Sequence, residues 1–183
     1  MHVNGESVPA LAPWADVLLA SDRRWWIEHE QEARAFAGLK VTVEPPGGCE
    51  RLNWSDVMQL KNAGPVLFDD RPTHLGGGGN SGFHAVHLAA HFGATKILLC
   101  GFDMQSEAGI KQDLNEKKKR ARQHWFGEHA WRPKLRIPFD LFIERFTRSA
   151  PEFQKRGISV INCTPGSALQ CFPFMTIEEA LAC

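Results

Sequence analysis

The run Gly76-Gly77-Gly78-Gly79-Asn80-Ser81 sets four residues without side chains before two good helix-capping residues. Such glycines take positive φ freely and let a ligand come close to the main chain. Ala85, Val86, Leu88, Ala89, Ala90 and Phe92 then supply an apolar helical surface, so the loop opens into a helix. Free N–H groups and the positive end of the helix dipole suit an anion such as phosphate, held by Gly77, Gly78, Gly79, Asn80 and Ser81. On the same helix His84, His87 and His91 fall at i, i+3 and i+7, near one face. Two readings stand for them: imidazoles offered to a metal, or the partly exposed side of the helix. No carboxylate or cysteine accompanies the three, so no metal site is assigned. His84 sits in the first turn, where the dipole is expected to depress its pKa and keep the ring neutral.

Carboxylates form a second constellation. Asp22 and Asp103 each follow an apolar run, Asp103 directly after Gly101-Phe102. Such a pair can hold Mg²⁺ against a nucleotide if a sheet brings the two together; alternatively Asp103 caps a turn or bonds a ribose hydroxyl, and ribose contact is the preferred reading. Mg²⁺ enters only if the chemistry is diphosphoryl transfer, and no other cofactor is called for. His124 and His129 bracket Trp125-Phe126-Gly127-Glu128. This patch either packs a lid or meets a ligand, and imidazole has the pKa range of a general base. Lys117–Arg120 with Arg122 is a dense basic run, read as a solvated face or as a grip on polyphosphate.

The elements that must position these groups alternate. Ala15–Ala20 reads as a strand, Trp25 to Gly38 as a helix with one core residue and one surface or pocket residue between Trp25 and Trp26, Lys40–Glu44 as a strand, and Glu50–Asn62 as ambiguous, at most one short helix. Pro65–Asp70 is expected to be a third strand ending in carboxylates, and Lys96–Cys100 a fourth, buried on both faces. After Asp103 a polar stretch around 105–136 reads as a lid-like insertion. Phe139–Phe153 recovers helical spacing, Ile158–Asn162 is a last strand, Thr164–Ser167 a turn built by Pro165-Gly166, and Thr176–Leu181 a short helix. The alternation predicts an α/β fold: one Rossmann-like domain over residues 1–183, with a mainly parallel sheet covered by helices on both faces. Ligands of such sheets lie outside the carboxyl ends of the strands, where Ser21-Asp22, Glu44, Asp69-Asp70, Gly101–Asp103 and Cys163–Ser167 are placed.

Bulk properties narrow the classes. A chain of 183 residues supports one full core. A formal net charge of +0 gives no field favouring nucleic acid or an acidic membrane, so nucleic acid is not an expected partner. Five cysteines without CxxC spacing argue for reduced thiols in the cytoplasm rather than a disulfide framework or zinc ribbon. No apolar run near membrane length and no basic-then-apolar leader is seen.

Asn80-Ser81-Gly82, the helix after it and Gly101-Phe102-Asp103 resemble the central segment of bacterial sialyltransferases that use CMP-sialic acid. The resemblance is closer to phage and bacterial proteins related to MptE-like hydroxymethylpterin diphosphokinases, some labelled norphogenetic protein. Three further stretches carry it: Ser21-Asp22 with Trp25-Trp26, His124 to His129, and Asn162-Cys163-Thr164-Pro165-Gly166-Ser167-Ala168-Leu169. Together they span most of the chain in order. The resemblance implies a nucleotide or nucleotide-sugar ligand and transfer of a glycosyl or diphosphoryl group. It implies a nucleoside held by Asp103 and by Asn162, Thr164, Gly166 and Ser167, with His129 as base and His124 as second candidate. Two departures qualify it. Relatives begin with an extra strand and a glycine-proline-serine loop that have no counterpart before Asp16–Trp26, which is expected to mean a late start or a reduced site. The sialyltransferases also steady the departing phosphate with tyrosines, and this chain contains Tyr 0. A non-catalytic module that sequesters a signalling nucleotide is therefore the alternative, and a phage morphogenesis protein the third. Self-association into a homo-oligomer stays open.

Overall fold

The computed structural model describes residues 12, 14–44, 52–105 and 137–183. The basic run, His124, His129 and nearly all of the lid-like insertion lie outside them. The elements in order are β1 (Val17–Leu19), α1 (Arg23–Glu28), α2 (Glu30–Ala35), β2 (Leu39–Glu44), β3 (Val57–Asn62), β4 (His74–Leu75), α3 (Ser81–His91), β5 (Lys96–Leu99), α4 (Phe139–Lys155), β6 (Ser159–Asn162) and α5 (Ile177–Ala182). The fold is α/β with every strand pair among the described residues parallel, as the alternation predicted. The six strands of the described residues divide into a four-stranded sheet, β1-β2-β3-β4, and a two-stranded sheet, β5-β6.

Strand alternation sends successive residues to opposite faces, and the core follows that rule. Leu18 packs with Trp25, Trp26, Ala33 and Phe36 beneath α1 and α2. Its neighbour Leu19 points the other way and joins Val41, Val43, Leu60, Leu75 and Leu88 beneath α3. In the small sheet Ile97, Leu99 and Val160 meet Phe83, Val86, Phe146 and Phe153 from α3 and α4. Ile161 and Leu98 turn to Ala180 of α5. Helices thus cover both faces of both sheets, and α3 is the shared element, giving Leu88 to one core and Phe83 with Val86 to the other.

Four expectations are corrected. The helix over Trp25–Gly38 is two short helices separated at His29, whose φ −111, ψ 31 leaves the helical region. Trp25 and Trp26 are both buried, where one surface or pocket residue was expected; the Trp26 indole N–H donates to the Ala20 carbonyl at 2.9 Å. The ambiguous Glu50–Asn62 stretch ends in β3, drawn into extended form by a full register with β2 from Lys40↔Val57 to Glu44↔Lys61. Pro65–Asp70 is irregular, and the strand that follows β3 is the two-residue His74–Leu75. Ladder bonding explains the last: Gly77 N–H donates to Val66 O and Ala63 N–H to Leu75 O, so the segment folds against the glycine run instead of entering the sheet.

Candidate functional site

The carboxyl ends of β1, β5 and β6 meet the first turn of α3. Asn80 caps that helix, its side chain accepting from Phe83 N–H at 2.8 Å. Ser81, the first helical residue, accepts the Ser21 N–H on its Oγ at 3.1 Å, tying the end of β1 to α3. The Phe102 ring lies against the same turn, because a Cβ on Gly82 would come within 2.9 Å of it. Phe102 N–H donates to Thr164 Oγ1 at 2.9 Å, and Ala168 N–H to the Asp103 carbonyl at 2.9 Å, so the loops after β5 and β6 form one body. Met104, at φ 53, is the non-glycine residue with positive φ among the described residues; the loop is bent sharply just after Asp103.

The glycine run divides in two. Gly76, Gly77 and Gly78 are buried, and their missing side chains make room for the protein's own atoms. A Cβ on Gly76 would fall 2.0 Å from Leu67 O, on Gly77 1.6 Å from Gly64 O, and on Gly78 1.8 Å from Phe83 Cγ. Gly79 alone is exposed, at φ +80, and a Cβ there would fall 2.2 Å from Arg145 Nη1. Arg145 rises from α4, half-buried, so its guanidinium stands beside the residue that leads into α3. Among the described residues it has no carboxylate or hydrogen-bond partner. Arg145 lies within the helix expected over Phe139–Phe153, and nothing in its sequence neighbours signals that α4 carries it to the glycine run.

The remaining candidates fall into two groups. Asn162, Thr164 and Ser167 are buried, and their polar groups serve the chain. Asn162 donates to Leu169 O and accepts from Thr164 N–H, both at 3.0 Å, while Ser167 Oγ accepts from Leu169 N–H at 3.0 Å. Gly101, Asp103 and Gly166 are exposed at the same edge. Asp22, also exposed, caps α1 by accepting from Arg24 N–H at 3.0 Å. Among the described residues no contact joins Asp22 to Asp103. Asp69 and Asp70 are engaged in ion pairs with Arg71 at 2.6 Å and Arg156 at 3.0 Å. The Arg71 guanidinium holds the Asp69 carboxyl far below the usual carboxylate range.

His84 and His87 face inward, not to the partly exposed side that sequence offered as the alternative to a metal, whereas His91 is half-buried. His84 is 3% exposed and His87 0%. The His84 Nδ1 lies 2.7 Å from Ser21 Oγ, and its Nε2 is buried without a hydrogen-bond partner. Its pKa is lowered to about 4, first by burial, against a small opposing effect of the Gly76 backbone. The lowering expected at this position follows first from desolvation, not from the helix dipole. His87 is likewise lowered to about 4, by burial and then by His91 and His84. Its Nδ1 accepts Gly76 N–H at 2.6 Å, and its Nε2 faces Asp69 N–H at 3.4 Å. His91 reaches the His74 carbonyl at 2.9 Å. Among the described residues no group of three or more His, Cys, Asp or Glu side chains is arranged around a metal-sized space.

Fold and edge together define an α/β protein whose strand ends, helix N-terminus and Arg145 guanidinium share one rim. Comparison with protein-family models, curated proteins and solved structures returns no match. No helix of the described residues is long and apolar enough to cross a membrane.

Proposed function

We propose that this chain binds a phosphate-bearing nucleotide or nucleotide-sugar at the rim where α3 begins, in the cytoplasm, as a member of the MptE-like group. The observation that carries this reading is the Arg145 guanidinium, unpaired among the described residues, beside exposed Gly79 at the positive end of an 11-residue helix. A half-buried guanidinium without a carboxylate is costly to maintain and matches a phosphate in charge and fork geometry. The phosphate end then lies at Gly79, Asn80, Ser81 and Arg145. The nucleoside end lies at Gly101, Asp103 and Gly166, with Asn162, Thr164 and Ser167 holding the shape of the loop rather than touching the ligand. Transfer chemistry would rest on His129 or His124, outside the described residues.

The test is calorimetric titration of the full chain with nucleoside mono-, di- and triphosphates and nucleotide-sugars. At least one is expected to bind, and Arg145→Gln is expected to weaken it about tenfold to a hundredfold, the worth of a hydrogen bond to a charged group. Unchanged affinity in Arg145→Gln removes the assigned phosphate seat. Chromatography of the bound nucleotide after incubation with acceptors and Mg²⁺ separates a transferase, which yields product, from a sequestering module, which returns the ligand intact.

A further inference from the structure

We propose that Cys100 and Cys163 are a modification site: a thiol pair that a peroxide converts to a disulfide and a dithiol restores. The β5–β6 register runs Leu98↔Ile161 and Leu99↔Asn162, and Cys163 N–H donates to Leu99 O at 2.9 Å, continuing the ladder past both strands. The next pair in that register is Cys100 with Cys163. Neighbouring strands lie about 4.8 Å apart, inside the range of about 4.4–6.8 Å that disulfides span between Cα atoms. Both thiols emerge on one face. Cys163 packs with Ile161, Leu98 and Ala180 beneath α5, and Cys100 is two residues beyond Leu98. Cys171 belongs to the core on the opposite face.

The two thiols differ in the way such a site requires. Cys100 is exposed and Cys163 buried. The Cys163 thiol is pushed up by burial and further by neighbouring Cys100. Cys100 therefore meets the oxidant. Its thiolate attacks one peroxide oxygen, an S–O bond forms, the O–O bond breaks, and the second oxygen leaves as water after taking a proton. The Cys163 sulfur then attacks the Cys100 sulfur; the S–S bond forms, the S–O bond breaks, and the departing hydroxide leaves with the Cys163 proton as water. Two thiols and one peroxide give one disulfide and two waters. Exchange with a dithiol reverses the change.

The bridge would pin the two loops it precedes, Gly101–Asp103 and Thr164–Ser167. That consequence for ligand binding rests on the proposed function, whereas the chemistry does not. The test treats the reduced full chain with hydrogen peroxide and maps peptides without reduction. The expected result is loss of two hydrogens and a Cys100–Cys163 linked peptide that dithiothreitol removes. Cys100→Ser, a change at an exposed position, is expected to abolish that peptide; Cys163→Ser tests the partner. Cys100 carried to sulfinic acid beside an alkylatable Cys163, Cys163 joined to Cys183, or no reaction would each overturn the proposal. Titrating the reduced protein with nucleotides keeps the two readings apart: binding without the disulfide sinks only the thiol site, and the disulfide without binding sinks only the nucleotide site.

Discussion

A glycine is uninformative about what occupies the space its side chain leaves, and Gly76–Gly79 show both cases within one run. Three of the four are filled by Leu67 O, Gly64 O and the Phe83 ring, and the fourth by the tip of Arg145. Gly78→Ala is therefore expected to destabilise the fold by about 1–3 kcal/mol, because the Phe83 ring at 1.8 Å is part of the core and must shift. Urea unfolding checks this. An Ala variant with wild-type stability and weakened nucleotide binding would show that the space at Gly78 belongs to a ligand. At Gly79 the obstacle is the far end of a flexible side chain, and the cost there is mainly that of positive φ.

At the scale of elements, α3 decides where the rim lies. It is built from one amphipathic stretch, yet its buried residues serve two cores, which fixes its N-terminus between β1 and β5. The helix α4 supports it through Phe146, 0% exposed, whose ring stands 4.9 Å from Phe83, 6.0 Å from Phe102 and 6.1 Å from Phe172. One side chain thus props α3, the loop after β5 and the segment after β6. Phe146→Ala is expected to cost about 3–5 kcal/mol, the usual range for deleting a buried ring. A fall below about 1 kcal/mol in chemical unfolding would mean that α4 is not the prop described.

For the molecule as a whole, His84 and His87 couple stability to pH. Both titrate at about 4 when folded, against about 6.5 in an unfolded chain. Between those values the unfolded state binds more protons, so stability rises with pH through this window. Their neutral-state contribution is full above pH 6.5 and is lost as pH falls toward 4. The combined loss is expected to be a few kcal/mol, about 2–3 kcal/mol for each ring. Urea midpoints at pH 7.5 and pH 5 test it, with His87→Asn expected to flatten the difference. Equal midpoints at the two pH values would contradict the buried, neutral state of both rings.

Periodicity and punctuation in the chain determined the α/β class, β1, β2, β5, β6, α3, α4 and α5, the Asn80 cap and the gathering of polar residues at strand ends. Those features follow from neighbours within a few residues, which sequence displays directly. Strand β3 and the irregular Pro65–Asp70 segment were not legible, since pairing with β2 and bonding to Gly77 are contacts between distant parts of the chain. The inward turn of His84 and His87 was equally hidden, because helical spacing shows that residues share a face without showing what covers it. Arg145 beside Gly79 and Cys100 beside Cys163 are 66 and 63 positions apart in the chain. Only the packing of α4 on α3 and the register of β5 with β6 brought them together.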